Sequence, residues 1–137
     1  MLFILIFFFP PKPFDTVIVP TAAPQAVSGM PFKDSRSIKV TWKPPPKDQQ
    51  NGEIKGYKIF YVKNENSQTD QDAKSSLVDA ESQELVLGDL EIYTEYKIWV
   101  LAFTKVGDGP SSQPIRVWTN EDGRYCPWIS ANRLALT

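Results

Sequence analysis

The sequence predicts an all-β chain, and three observations predict it. Ile38-Lys39-Val40-Thr41-Trp42 alternates apolar and polar residues, and Gly56–Tyr61 places Tyr57, Ile59 and Tyr61 on one face. Strict alternation at period two is the pattern of half-buried strands. Between them stand Pro44, Pro45 and Pro46, which cannot continue a central ladder because each lacks a backbone donor. About thirteen residues separate Trp42 from Gly56, too many for a tight two-residue hairpin. That length suits a chain crossing from one sheet to another.

The remaining elements follow in order. A first strand is expected near Gln25–Ser28 with Val27 inward, and a second over Ser37–Lys43 with Ile38, Val40 and Trp42 inward. A third covers Lys55–Lys63. The polar stretch Asn64–Ser76 reads as a loop, and Ser76–Asp79 as a short strand after it. Glu84–Leu87 follows with Leu85 and Leu87 inward. The longest strand is Tyr93–Thr104, with Tyr96, Ile98, Val100 and Ala102 inward. Gly107-Asp108-Gly109 reads as a hairpin turn whose glycines supply positive φ. The last strand is Gln113–Thr119, with Ile115 and Val117 inward. No helix and no internal repeat is expected.

The stretch Ser37–Tyr61 resembles the first half of a fibronectin type III domain. Downstream, Leu87-x-x-Leu90 followed by Thr94-Glu95-Tyr96-Lys97-Ile98-Trp99-Val100-Leu101-Ala102 is similar to the family's L-x-x-L…T-x-Y-x-[VI]-x-[VI]-x-A signature. Gly107-Asp108-Gly109-Pro110-Ser111-Ser112 is similar to its G-x-G-P-x-S turn. The resemblance covers Pro20–Glu121, about three quarters of the chain. It implies a seven-stranded antiparallel immunoglobulin-like β-sandwich without a disulfide and puts the family's tyrosine corner on Tyr96. Ile92 stands where the family usually has proline, so that corner is expected to be less rigid. Some family members bind integrins through Arg-Gly-Asp on the hairpin; here Val106 precedes Gly107-Asp108, and that function is not carried over.

The resemblance divides the chain into residues 1–19, a non-domain extension; 20–121, the fibronectin type III domain; and 122–137, an unstructured extension. The apolar run Leu2–Phe9 is far short of the ~20 residues that span a bilayer. It has the length of a signal-peptide core, but no Lys or Arg precedes it and Pro10-Pro11 follows. It reads as a secretory signal or as a non-native extension from a mis-assigned coding start. Val19–Pro24 resembles the proline-rich linker between tandem modules.

Composition excludes several function classes. The chain is 42% hydrophobic and 23% charged with a net charge of −1, so no basic field attracts nucleic acid or anionic lipid. There is no histidine and a single cysteine, Cys126, outside the expected domain. The commonest general base and metal ligand are therefore missing. Asp70, Asp72, Asp79 and Glu81 match no EF-hand spacing. No catalytic, cofactor-binding or metal-binding residue is assigned, and no enzyme, cofactor or small-molecule substrate is expected.

Alternation has a second consequence. If Tyr96, Ile98, Val100 and Ala102 point inward, then Lys97, Trp99, Leu101 and Phe103 point outward. By the same parity Phe60 and Val62 face outward on the third strand, and Arg116 and Trp118 on the last. In the family these strands share a sheet, whose exterior would carry an aromatic strip. Phe60, Trp99, Leu101, Phe103, Arg116 and Trp118 are the candidate protein-binding residues, with Trp99, Leu101, Phe60 and Trp118 at the centre. The alternative is a face covered by Lys and Arg stems, with Arg116 stacked on Trp99.

The resemblance implies a non-catalytic interaction or spacer module of a cell-surface adhesion molecule or receptor, lying outside the plasma membrane. Its partner would be a protein: a homophilic or heterophilic surface partner, or neighbouring modules of the same chain. The proline-rich connection and the G-D-G-P turn look most like modules of Sidekick, Dscam-type adhesion molecules and receptor tyrosine phosphatases. Two alternatives stand beside this: a module of a receptor phosphatase or kinase whose catalytic domain lies elsewhere, or one of an intracellular muscle-type tandem protein.

Overall fold

The computed structural model describes residues 19–65 and 70–121. The run Leu2–Phe9, the segment 122–137 and Cys126 lie outside the described residues.

Two antiparallel sheets face each other. The smaller has the order β1–β2–β5, from Gln25–Pro31, Ile38–Lys43 and Glu84–Leu87. The larger runs β4–β3–β6, from Lys74–Asp79, Ile54–Lys63 and Glu95–Thr104; β7 (Asp108–Ser111) and β8 (Ile115–Trp118) then share the far edge of β6. The chain changes sheet between β2 and β3, where the prolines end the ladder. Pro46, at φ −53° and ψ 140°, is in the polyproline region and leads into a three-residue 3₁₀ turn, Lys47–Gln49. A second such turn covers Asp70–Asp72. These two turns are the described departures from the helix-free expectation, and each is a single turn closed within a loop.

The expected inward residues meet between the sheets. Ile38, Val40, Trp42, Tyr57, Ile59, Leu87, Tyr96, Ile98, Val100, Ala102 and Val117 form one buried cluster with Leu90. Val27, Leu85 and Ile115 are half-buried against it. Trp42 is only 2% exposed, and its ring stands 5.5 Å from that of Tyr57 at 55°. Burial pushes the Tyr57 phenol above its ordinary range, and the Glu81 carboxylate adds to this.

The last strand, expected over Gln113–Thr119, covers Ile115–Trp118, and a short strand, β7, stands at Asp108–Ser111 where the hairpin turn was expected. Pro114 has no N–H to give, and between β7 and β8 the ladder is held by Ser112. Its N–H donates to the Val100 carbonyl at 2.7 Å, and its hydroxyl accepts from Val100 N–H at 3.0 Å. Other boundaries move by a few residues: β1 runs on to Pro31, β4 begins at Lys74, and β6 begins at Glu95 because Tyr93 takes a left-handed φ of 47°. The hairpin glycines also differ from expectation. Neither Gly107 nor Gly109 has positive φ. Gly109 is needed for close approach instead: a Cβ there would stand 2.8 Å from Pro20 Cβ and 3.1 Å from its carbonyl oxygen.

The corner before β6 is pinned by side chains. Glu91 N–H donates to the Tyr96 hydroxyl at 2.9 Å, and the Thr94 hydroxyl donates to the Ile92 carbonyl at 2.9 Å. Thr119, nearly fully buried, donates to the Glu91 carbonyl at 2.6 Å and accepts from Thr94 N–H at 2.9 Å. A corner without proline is thus held by hydrogen bonds. Tyr96→Phe keeps the ring and strands the Glu91 amide, so a loss of about 1 kcal/mol is expected. Chemical denaturation of the two proteins checks it, and equal stabilities would show that the bond contributes nothing.

Candidate protein-binding face

The outer surface of the larger sheet is fixed by register. Opposite pairs are Phe60 with Trp99, Lys58 with Leu101 and Val62 with Lys97, while Lys97 also faces Arg116 and Glu95 faces Trp118. On the other side of β3, Ser75 lies beside Phe60 and Leu77 beside Lys58. Directly opposed side chains in an antiparallel pair are close enough to touch. Phe60 and Trp99 do so face to face, with centroids 5.6 Å apart and planes 9° from parallel.

Two lysines frame this stack. Lys97 Nζ lies 5.4 Å from the Trp99 ring centroid and 2.7 Å from Asp70 Oδ1. Lys58 Nζ lies 5.5 Å from the Phe103 centroid and bonds both Asp108 carboxylate oxygens at 2.7 Å. Each cation sits over an aromatic ring and is balanced by a carboxylate, so these pairs add little net charge to the face. Such partly exposed pairs contribute little to stability; they hold the lysine stems against the rings.

Structure and expectation differ here in four respects. The cation on Trp99 is Lys97, not Arg116, which lies opposite Lys97 across the β6–β8 ladder. Val62 shares the outward parity yet is buried at 6% exposure, and Leu101 is at 9%. Trp118 does not join the Phe60–Trp99 stack. It lies opposite Glu95, four residues and so about 13 Å along the strand from Trp99, and instead packs 5.6 Å from the Tyr93 ring. Leu77, in contrast, was not expected on this face and is 66% exposed. Its sequence signal was only the adjacent apolar pair Leu77-Val78 in Lys74–Asp79, and the register beside Lys58 shows which face receives it. The centre of the face is therefore the Phe60–Trp99 pair, with Leu77 and nearly buried Leu101 flanking Lys58 one row away and Phe103 at the rim. Arg116 lies one row from Trp99, opposite Lys97, and Trp118 sits apart.

Phe103 closes the upper end by covering a glycine. A Cβ on Gly56 would meet the Phe103 ring at 2.9 Å and would also run into the Val78 carbonyl oxygen.

The model of the fibronectin type III domain matches residues 22–118. The chain belongs to the fibronectin type III family. The tyrosine corner and the outer face described above are thus features of a fibronectin type III sandwich. Among its relatives, tyrosine-protein phosphatase Lar of Drosophila melanogaster is 43% identical over 114 residues, covering 82% of this chain and 5% of that protein. Protein sidekick of the same species is 40% identical over 106 residues, 74% of this chain and 5% of that protein. The chain therefore spans about one twentieth of the length of these relatives. Among solved structures, the crystal structure of the FN5 domain of Drosophila Lar superimposes with a TM-score of 0.61 at 33% identity, covering 74% of this chain and 98% of that one. The chicken CNTN1 FN1-FN3 domains give 0.64 at 27% identity, covering 74% of this chain and 31% of that one.

Proposed function

We propose that this fibronectin type III module serves a multidomain cell-surface adhesion receptor as a non-catalytic interaction and spacer element, and that the outer face of its larger sheet meets a protein partner. The observation that carries the reading is the Phe60–Trp99 stack on the solvent side of the sheet, with exposed Leu77 on the same face opposite Lys58. Aromatic side chains framed by polar rims are the usual centres of protein interfaces. The similarity to Lar and Sidekick supports a receptor or adhesion parent. It also supports an extracellular place for the module. Among the described residues no helix is long and apolar enough to cross a membrane.

A second reading is favoured by the 43% identity to Lar: the parent is a receptor tyrosine phosphatase, whose catalysis lies outside this module. Both readings give the face the same role.

Trp99→Ala tests it. Association of the parent ectodomain should weaken by about 2 kcal/mol or more, as for an interface hot spot. Stability should change little, because the ring lies outside the core. The paired measurement is surface-based binding of the parent with and without the change, beside urea denaturation of the module. Lost stability with intact binding would place the ring in the core. No change in either would leave Phe60 and Trp99 as a surface pair covered by Lys97.

A further inference from the structure

The segment that leads into β1 is fastened to the turn after the first 3₁₀ segment. Thr21 donates twice to the Gln49 carbonyl, from N–H at 2.9 Å and from its hydroxyl at 3.2 Å. Asn51 Nδ2 donates to the Val19 carbonyl at 3.2 Å and, more weakly, to Thr21 Oγ1 at 3.4 Å. Pro20, between them, is fully buried and lies against Gly109. Asn51 is the one side chain from this turn that reaches Val19 in these bonds. It is exposed, takes a left-handed φ of 50°, and precedes Gly52 at φ 148°. It forms the sequence's single Asn-Gly pair.

We propose that Asn51 is a site of spontaneous deamidation, and that the product unfastens the leading segment. The Gly52 backbone nitrogen attacks Asn51 Cγ, unhindered because glycine has no side chain. A bond forms between Gly52 N and Cγ, the Cγ–Nδ2 bond breaks, and ammonia leaves carrying the Gly52 amide proton. Water then adds to either carbonyl of the cyclic imide and opens it, leaving aspartate or isoaspartate. No oxidant or enzyme enters the balance.

The hydrogen bonds explain why the reaction and the fastening are coupled. In the closed turn Nδ2 is held toward Val19 and Thr21, so cyclisation requires those bonds to open. Once formed, a carboxylate has no N–H to donate. The Val19 carbonyl then loses its donor and faces a negative oxygen. Thr21 cannot replace it without releasing Gln49. If the module stands in a tandem array, as the proposed function has it, this segment is the link to the preceding module, and its release would loosen their relative orientation. The chemistry itself does not rest on that reading.

The test uses the full chain, aged at neutral pH and warm temperature. The acidic form is collected by anion exchange, mapped by peptide mass spectrometry, and compared by hydrogen exchange with Asn51→Asp and Asn51→Gln. Conversion is expected at Asn51 ahead of Asn64 and Asn120, and not in Asn51→Gln, whose longer side chain cyclises far more slowly. In the aged acidic form and in Asn51→Asp, the Thr21 amide should exchange about tenfold faster, as for loss of one ordinary hydrogen bond, with β3 and β6 unchanged. Thr21→Val, which weakens the fastening, should speed conversion. An Asn51 that keeps its amide while other asparagines convert would overturn the site. Unchanged Thr21 exchange in Asn51→Asp would overturn the release.

Discussion

Trp42→Ala is expected to cost ~3–5 kcal/mol, the sum of lost transfer energy and the cavity left behind. That is a large share of the ~5–15 kcal/mol that holds a typical domain together. Trp42 is 2% exposed, lies between the two sheets and packs on Tyr57. The neighbouring strands are tied in ladders and cannot collapse into the gap. Its Nε1 is buried without a hydrogen-bond partner among the described residues, which sharpens the test. Trp42→Phe removes that unpaired donor while keeping a ring, so it should cost much less than alanine, because an unmade bond is not lost. Urea midpoints of the three proteins decide the order. An alanine midpoint within error of the parent would show that the ring is not the core's centre, and equal losses for both variants would show that the indole nitrogen is in fact paired.

Gly56→Ala is expected to destabilise by about 2–3 kcal/mol, near the upper end of what one added carbon costs in a packed site. The added Cβ would meet two different obstacles: the Phe103 ring at 2.9 Å and the Val78 carbonyl oxygen across the β3–β4 ladder. A ring can swing aside, whereas a carbonyl in a sheet cannot move without breaking register. Adding Phe103→Ala to Gly56→Ala should therefore recover only part of the loss. Thermal or chemical denaturation of the two single variants and the double variant measures this as a coupling. Full recovery would put the whole clash in the ring; an alanine as stable as glycine would mean that the strands separate there at no cost.

Much of the fold was legible because the signals were local. Ile38, Val40 and Trp42, and Tyr96, Ile98, Val100 and Ala102, sit inside because period-two alternation sends alternate side chains to opposite faces. Glu84–Leu87 was found with its observed ends. The candidate face was legible only as a parity. Phe60, Trp99, Leu101 and Phe103 belong to it, but parity says nothing of distance along a strand or of what covers a residue. Trp118 therefore shared the expected face while standing beside Tyr93, and Val62 shared it while buried.

By itself the sequence determined the all-β class, the inward faces of the strands, the crossing at Pro44–Pro46 and the tyrosine corner at Tyr96, because alternation, missing backbone donors and a short family signature are properties of neighbouring residues. Only the tertiary structure decided which residues meet. It set Phe60 against Trp99, placed Leu77 opposite Lys58, gave Trp99 to Lys97 rather than Arg116, and put Pro20 under Gly109 and Asn51 on Val19. The physical reason is that register and sheet packing bring together residues far apart in the chain, through ladders whose alignment no single strand encodes.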